Sequence, residues 1–508
     1  MDKRYVLGVD LGTTAIKVGL FDEKGQKVRT ATQEYQLLTP QALWVEQTPQ
    51  TYWDSFKAAL ANVLDHCNVD RNKIEALSVS AQGETLVFLD KRGEPLYNFI
   101  VWMDNRAQEE SEMLMEAFDQ KTLHKATGQT CMVPLSPAPK TLWFKRNYPQ
   151  RFEKIDKILL IEDYFFWRMG GGFYGEGSLW CTSFMWDINT HGWWRPMVDY
   201  LGLSIDQLPE LVESGTPIGT ILPHIAKELG LPETLKLVMG GLDQACGAIG
   251  VGNVTPGIFS ESTGAALVVC TMTDHIIFDE TGELSCFYSA IPGQYMIHAY
   301  GSGGIAYKWL RDALCSEESA IEGRGGPSAY QLMDEQAKKA PAGSEGLVVL
   351  PHFQGAGPPD TNQYAKCMMY GLGLQHTKAH VIRSFMEGVA MTVCRMVGAS
   401  EELMGEPVKE IRSLSGGAKS ELWCQIKADA LGKPVVTMKN TQDAACLGAA
   451  LIAGVAAGIW PSVAEAALEI VRLDKTFQPK AENKPAYEDL MKKYLLLTGA
   501  LNELAQQL

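Results

Sequence analysis

Two short hairpins rich in glycine and hydroxyl residues, one in each half of the 508-residue chain, most constrain the fold. They are predicted over residues 5–22, with the turn Gly12-Thr13-Thr14, and over residues 257–270, with the turn Ser262-Thr263-Gly264. Small residues in such a turn let backbone N–H groups and hydroxyls approach a phosphate closely. The pair therefore predicts two related domains that hold the phosphates of one nucleotide.

The length of the chain also predicts two domains, because it exceeds the roughly 250–300 residues that one hydrophobic core supports. Residues 237–250 read as a strand, a tight turn and a small-residue helix, and we place the boundary just after them. The prediction is an N-terminal domain over residues 1–252 and a C-terminal domain over residues 253–508. Strands alternate with helices throughout, which indicates α/β layers.

Composition excludes several kinds of partner and compartment. A net charge of −15 argues against binding to nucleic acid and against attraction to anionic lipid. The eleven cysteines form no C-x-x-C pair, which is typical of free thiols in a reducing compartment. The sequence enters its first strand without a signal-peptide pattern, and no apolar run approaches the roughly 18 residues that span a membrane. We therefore predict a cytoplasmic protein with no membrane partner.

The apolar pattern also predicts individual elements that carry the motifs. The main predictions are helices over 49–65, 162–169, 303–315 and 378–398, strands over 74–81, 158–161, 237–241, 346–350 and 410–414, and a hairpin of 86–90 with 97–102.

Two short motifs suggest nucleotide chemistry. Asp10 follows an apolar strand and precedes the first hydroxyl turn, so its carboxylate is suited to Mg²⁺; the alternative is an Asp that only fixes the turn. Gly416-Gly417-Ala418 follows the strand over 410–414 and opens a helical stretch over 421–431, so its backbone could lie against an adenosine. The alternative for this motif is a plain loop.

The order of the motifs carries more information than any one of them. They are Asp10-Leu11-Gly12-Thr13-Thr14, Gln82-Gly83-Glu84-Thr85, Trp102-Met103-Asp104-Asn105-Arg106, Gly241-Leu242-Asp243-Gln244, Ser262-Thr263-Gly264 and Gly416-Gly417-Ala418-Lys419-Ser420. This series resembles the FGGY carbohydrate kinases, the family of glycerol kinase and xylulokinase, from about residue 4 to about residue 480. Lys140-Thr141-Leu142-Trp143 is similar to the first family signature, apart from Thr141 at an apolar position, and 371–374 with 380–388 is similar to the second.

The resemblance implies an α/β fold of two actin-like ATPase (ribonuclease H-like) domains with an interdomain active-site cleft, and it implies ATP and Mg²⁺. It gives Asp243 the role of general base toward a sugar hydroxyl, beside the metal ligand that the position of Asp10 already suggests; the alternative for Asp243 is a helix cap. The nucleotide contacts that it implies are Thr13, Thr14, Ser262, Thr263, Gly264, Gly304, Gly416, Gly417 and Ala418.

The sugar-binding residues that the resemblance implies are Gln82, Gly83, Glu84, Trp102, Asp104, Asp243 and Gln244. Glycerol kinases have an arginine, a tyrosine and a phenylalanine where this chain has Gly83, Leu135 and Ala266, so we expect a roomier pocket with one charged donor fewer. For Trp102 and Asp104, hairpin packing and turn bonding are the alternative roles.

These residues favour an ATP-dependent kinase that phosphorylates a terminal hydroxyl of a small ketose or polyol. Among these substrates, we predict a pentulose such as xylulose. A tetritol or glycerol-type polyol kinase is the alternative within the family. A non-catalytic, actin- or Hsp70-like conformational ATPase is the alternative from another class. Members of the family are often homodimers, and nothing in the periodicity of the sequence identifies an interface.

Overall fold

The computed structural model describes residues 3–264, 266–439 and 441–505. Ala265, which belongs to the second predicted hairpin, lies outside the described residues. No helix within the described ranges is both long enough and apolar enough to span a bilayer.

The strands up to residue 254 are β1 (Tyr5–Leu11), β2 (Ala15–Asp22), β3 (Lys27–Glu34), β4 (Glu46–Gln47), β5 (Ile74–Ala81), β6 (Leu86–Leu89), β7 (Phe99–Ile100), β8 (Lys157–Leu160), β9 (Tyr174–Glu176), β10 (Trp186–Asp187), β11 (Gly192–Trp193), β12 (Glu210–Val212), β13 (Pro217–Thr220) and β14 (Lys236–Leu242). The later strands are β15 (Ile258–Thr263), β16 (Ala266–Thr273), β17 (Ser285–Tyr288), β18 (Tyr295–Ser302), β19 (Val348–Leu350), β20 (Met368–Tyr370), β21 (Glu410–Leu414), β22 (Val435–Met438) and β23 (Leu473–Phe477).

The helices up to residue 254 are α1 (Pro49–Asp65), α2 (Gln108–Ala117), α3 (Gln120–Thr127), α4 (Pro137–Asn147), α5 (Pro149–Phe152), α6 (Ile161–Met169), α7 (Gly177–Trp180), α8 (Arg195–Leu201), α9 (Pro223–Leu229) and α10 (Asp243–Gly250). The later helices are α11 (Gly304–Leu314), α12 (Ser316–Gly323), α13 (Ala329–Ala337), α14 (Lys378–Met404), α15 (Glu421–Leu431), α16 (Ala444–Ala456), α17 (Val463–Ile470) and α18 (Lys484–Ala505).

Both predicted hairpins are present, and each belongs to a larger sheet of the same plan. In the first, the order is β13-β14-β5-β1-β2-β3, with β1 antiparallel to β2 and parallel to β5. In the second, the order includes β18-β16-β15-β21-β22-β23, with β15 antiparallel to β16 and parallel to β21. The repeated order and strand directions agree with two related α/β domains.

The chain forms two compact units, and each unit draws on separate stretches of sequence. The first runs to Val254 and adds Thr273–Met296 and Asp443–Val471. The second is formed by Thr255–Met272, Ile297–Gln442 and the chain from Arg472 onward. The predicted boundary after residue 252 stays a prediction for the two family domains, and the first crossing between the compact units lies two residues beyond it.

Glycines let α16 pack closely inside the first unit. A Cβ atom on Gly8 of β1 would lie 1.9 Å from the carbonyl oxygen of Cys446 in α16, and one on Gly448 would lie 1.9 Å from the carbonyl oxygen of Cys246 in α10. No side chain fits in either place, so these contacts require glycine. The helix thereby packs against the central strands of the first sheet, including β1 of the first hairpin.

Candidate active site

Three neighbouring strands of the first unit end at the predicted catalytic and sugar-binding residues. β1, β5 and β14 are parallel neighbours, so their carboxyl ends meet at one edge of the sheet. Asp10 lies near the end of β1, Glu84 follows β5 and Asp243 follows β14. Ser80 Oγ of β5 donates to Asp10 Oδ1 over 3.2 Å, which links the first two strand ends.

Asp243 is the first residue of α10 and follows β14 directly, so the predicted turn between strand and helix is absent. Burial raises the pKa of Asp243 to about 7, and the negative charges of Asp10 and Glu84 add to the shift. Hydrogen bonds from the backbone and side chain of Gln244 oppose it. Leu242 occupies the N-cap position, so Asp243 lies in the first turn rather than at the cap. A half-buried carboxylate with such a pKa is suited to accept a proton near neutral pH.

Gln82 joins the strand end of β5 to the first hydroxyl turn. Its Nε2 donates to the Gly12 carbonyl over 3.3 Å and to the Tyr52 hydroxyl over 3.2 Å. The Tyr35 hydroxyl also donates to the Gly12 carbonyl. Gln82 Oε1 is buried and has no partner among the described residues. This unpaired acceptor beside the predicted site is therefore available to a ligand hydroxyl.

Glu84 adopts a left-handed backbone conformation, with φ of +55°, directly after Gly83. Burial raises the pKa of its carboxyl group, while the charge of Lys140 and a hydrogen bond from Thr182 lower it. A Cβ atom on Gly83 would lie 3.1 Å from Leu242 Cδ1 and 3.6 Å from Thr182 Oγ1. There is therefore little space for a larger side chain at Gly83 itself.

Trp102 and Asp104, both predicted to bind the sugar, make different kinds of contact in the structure. Trp102 Nε1 donates to the Thr13 hydroxyl over 2.8 Å, which brings a predicted sugar residue to a predicted nucleotide residue. Asp104 is fully buried, and its oxygens accept from Arg106 Nε (2.8 Å), Arg106 Nη2 (2.7 Å) and the Val45 N–H. Arg106 itself packs 3.9 Å from the centre of the Trp44 ring. Asp104 thus matches the alternative role of turn bonding, and its role toward a sugar stays a prediction.

The remaining residues predicted near the ligands differ in their exposure to solvent. Thr14 is exposed at the tip of the first turn, and Leu135 and Gln244 are half-buried. In the second unit Ala266 is exposed. Residues available to solvent at these positions are compatible with ligand contact, and the roomier pocket stays a prediction.

The predicted nucleotide residues of the second unit converge on one loop. Ser262 Oγ lies 2.7 Å from Ser415 Oγ, and the Gly304 N–H donates to the Gly264 carbonyl over 2.8 Å. A Cβ atom on Gly417 would lie 2.5 Å from Thr263 Cβ, so only glycine fits there. Gly416-Gly417-Ala418 lies in a 3-10 turn, Gly416–Lys419, that precedes α15. The structure therefore brings together motifs that lie more than 150 residues apart in the sequence.

A buried ion pair that the sequence did not reveal supports this loop. Lys427 of α15 and Glu261 of β15 are both fully buried, with Nζ 2.6 Å from Oε2. Lys427 Nζ also lies within 3.4 Å of Thr263 Oγ1, and the Thr263 hydroxyl donates to Glu261. The sequence pattern that could have revealed the buried lysine is its position four residues after Trp423, on the apolar side of an amphipathic helix.

A second set of missed residues fixes the backbone that carries Asp243. Ser178 Oγ accepts from the Leu242 N–H over 3.0 Å and donates to Glu176 Oε1 over 2.9 Å. Glu162 Oε1 accepts from the Gly240 N–H over 2.8 Å. Burial raises the pKa of both glutamates. Sequence carried little signal for them, because the contacts join segments about 65 to 80 residues apart.

Comparisons with known proteins agree with this geometry. The N-terminal domain of the FGGY family of carbohydrate kinases matches residues 5–250, and its C-terminal domain matches residues 264–457. The chain is 29% identical to the xylulose kinase of Bacillus subtilis (strain 168) over 97% of this chain and 96% of that protein. It is 27% identical to the gluconokinase of Bacillus licheniformis over 99% of this chain and 97% of that protein. The ligand-bound xylulose kinase structure from Lactobacillus acidophilus has a TM-score of 0.89 at 25% identity, with 98% of both chains covered.

The fold and the site together define a two-domain sugar kinase with mixed α/β content. The chain belongs to the FGGY family of carbohydrate kinases. It is a phosphotransferase that uses an alcohol group as acceptor and ATP as donor, as the resemblance of its motifs implied. A purely conformational ATPase is not supported by this membership.

Proposed function

We propose that the protein is an ATP-dependent kinase of a pentulose such as xylulose. The observation that carries the proposal is the meeting of Asp10, Glu84 and Asp243 at the ends of three adjacent strands. Kinases of this kind need a carboxylate near the acceptor hydroxyl and polar groups that orient the sugar. The similarity to xylulose kinases along almost the whole chain supports the choice of sugar.

In the proposed mechanism, Asp243 accepts the proton of the terminal hydroxyl as that oxygen attacks the γ-phosphate of ATP. Glu84, Gln82 and Gln244 orient the other hydroxyls. We propose that the turns at Thr13-Thr14 and at Ser262-Thr263-Gly264 bind the phosphates, and that Gly304 and Gly416-Gly417-Ala418 contact the rest of the nucleotide.

Asp10 fits the role of a magnesium ligand. Its carboxylate raises the pKa of Asp243, so the two negative groups lie close enough to repel, and a cation would relieve that repulsion. Carboxylate oxygens are also the ligands that Mg²⁺ prefers. When bound, Mg²⁺ neutralises charge on the phosphate oxygens. The homodimer and the cytoplasmic location remain predictions.

The substrate assay is phosphoryl transfer from ATP to xylulose, ribulose, erythritol, glycerol and gluconate at equal concentrations. We expect xylulose or another pentulose to give the highest kcat/KM. Gluconate tests the similarity to gluconokinases, and we expect it to be poor because Asp10, Glu84 and Asp243 would repel its carboxylate. A preference for gluconate or for glycerol would overturn the proposal. ATP hydrolysis that no sugar stimulates would do so as well.

A further inference from the structure

The ammonium group of Lys140 is fully buried at the point where two sugar-binding segments meet. Its Nζ donates to three backbone carbonyls: Glu84 at 3.1 Å, Val101 at 2.9 Å and Trp102 at 3.2 Å. An ammonium group has three N–H bonds, so these contacts use all of its donors. Lys140 thus joins the loop after β5 to the loop after β7.

The two loops hold three of the side chains that the sequence predicts to bind the sugar. The first carries Gln82 and Glu84, and the second carries Trp102. Besides Lys140, the Thr85 hydroxyl links the same loops, because it accepts from the Trp102 N–H over 3.0 Å. The carbonyl of Glu84 belongs to a residue with φ of +55°, a conformation that non-glycine residues adopt only when their surroundings hold them there.

We infer that Lys140 is a positioning residue for sugar recognition: it fixes the backbone of Glu84 and Trp102 so that both side chains face the same substrate. This inference rests on the proposed function. Lys140 does not itself reach the substrate in this role, because carbonyl oxygens take all of its donors. Its effect is therefore expected in sugar binding and sugar selectivity rather than in nucleotide binding.

The test is the variant Lys140→Met, which keeps the length of the side chain and removes its donors. We expect the KM for the sugar to rise at least tenfold, while the KM for ATP stays within twofold. The preference among the sugars of the panel should also flatten. A loss of folded protein alone would lower the apparent kcat and leave both KM values unchanged, so the split between the two KM values separates positioning from stability.

Lys145→Met is the matched control. Lys145 lies on the same helix, α4, and its Nζ also donates to a backbone carbonyl, that of Leu201, over 2.8 Å. It makes no contact with the two sugar-binding loops among the described hydrogen bonds. We expect both KM values of this variant to equal those of the unmodified protein.

Thr85→Val keeps the inference testable if Lys140→Met does not fold. It removes the other link between the two loops, and we expect the sugar KM to rise at least threefold with the KM for ATP unchanged. An unchanged sugar KM in Lys140→Met, or in Thr85→Val where the first variant does not fold, overturns the inference. If the unmodified protein phosphorylates no sugar of the panel, the proposed function fails instead.

Discussion

The indole N–H of Trp102 donates a hydrogen bond to the hydroxyl of Thr13 over 2.8 Å. One of these residues follows β7 and is predicted to contact the sugar, and the other lies in the first hydroxyl turn and is predicted to contact a phosphate. We therefore predict that this contact couples the binding of the sugar to the binding of ATP.

Trp102→Phe should raise the KM for both sugar and ATP, each by roughly three- to tenfold, because a lost hydrogen bond of about 0.5–1.5 kcal/mol no longer orients the Thr13 hydroxyl. Steady-state kinetics with each substrate varied in turn checks this. Trp53→Phe is the control, since its indole N–H contacts Glu228 instead. A change in the sugar KM alone would refute the coupling through Thr13.

Asp243→Asn should lower kcat by about 10²–10⁴-fold, the usual contribution of a general base, with ATP affinity within twofold. In the unmodified protein kcat/KM for the sugar should fall as the pH drops through about 7, because protonated Asp243 cannot accept a proton. Asp119→Asn, at the exposed N-cap of α3, should leave the profile unchanged. A flat profile between pH 6 and 8 would argue against Asp243 as the base.

Asp243→Asn should also change the thermal stability of the protein in a pH-dependent way. The pKa of Asp243 is raised in the folded state, so the folded protein favours the protonated group and loses stability as the pH rises from about 4 to about 7. Asp243→Asn avoids that loss. Its Tm should exceed that of the unmodified protein above pH 7, and the difference should shrink toward pH 4. Thermal unfolding of both proteins between pH 4 and pH 8 measures this difference in Tm. An equal Tm at pH 8 would contradict the raised pKa of Asp243.

Glu84→Gln should raise the KM for the sugar at least tenfold, because a neutral amide is a weaker acceptor for sugar hydroxyls than a carboxylate. The KM for ATP should change less than twofold. Glu94→Gln, at an exposed turn of the neighbouring hairpin, is the control. If the sugar KM of Glu84→Gln is unchanged, Glu84 does not bind the sugar.

Lys427→Met should destabilise the second unit by about 3–5 kcal/mol, because it leaves the carboxylate of Glu261 buried without its partner. The KM for ATP should rise as well, since Glu261 and Lys427 both contact the Thr263 hydroxyl. Lys433→Met breaks a more exposed pair with Glu401 and should cost about 1 kcal/mol or less. Adding Glu261→Gln to Lys427→Met should recover part of the lost stability, and no recovery would contradict the role of the unpaired charge.

The elements that sequence predicted well are those set by local pattern. Helix α1 spans the predicted residues, and its start has a local cause, because Thr48 caps it and Pro49 is its first residue. The two hairpins follow from apolar segments on either side of turns of small residues. Even the departure at Thr141 has a local cause, since its hydroxyl donates to the Pro137 carbonyl one helical turn earlier.

What sequence did not predict depends on contacts between distant segments. The buried pair of Lys427 and Glu261 joins residues 166 positions apart, and no local pattern indicates which lysine lies inside. The position of Asp104 shows the same limit, because its motif order suggested a ligand contact while Arg106 takes both of its oxygens. Packing partners decide such cases, and they are known only once the chain is folded.

The dependence of β1 on α16 has a consequence for biosynthesis. The ribosome completes Val254 about 200 residues before it completes Ala456, a delay of roughly 10–40 s at usual rates of translation. During that interval the nascent first unit lacks the helix that covers its central sheet, and a fragment ending at residue 254 lacks it permanently. Such a fragment should aggregate unless α16 is supplied in trans, so the last part of the gene governs when the first half can fold.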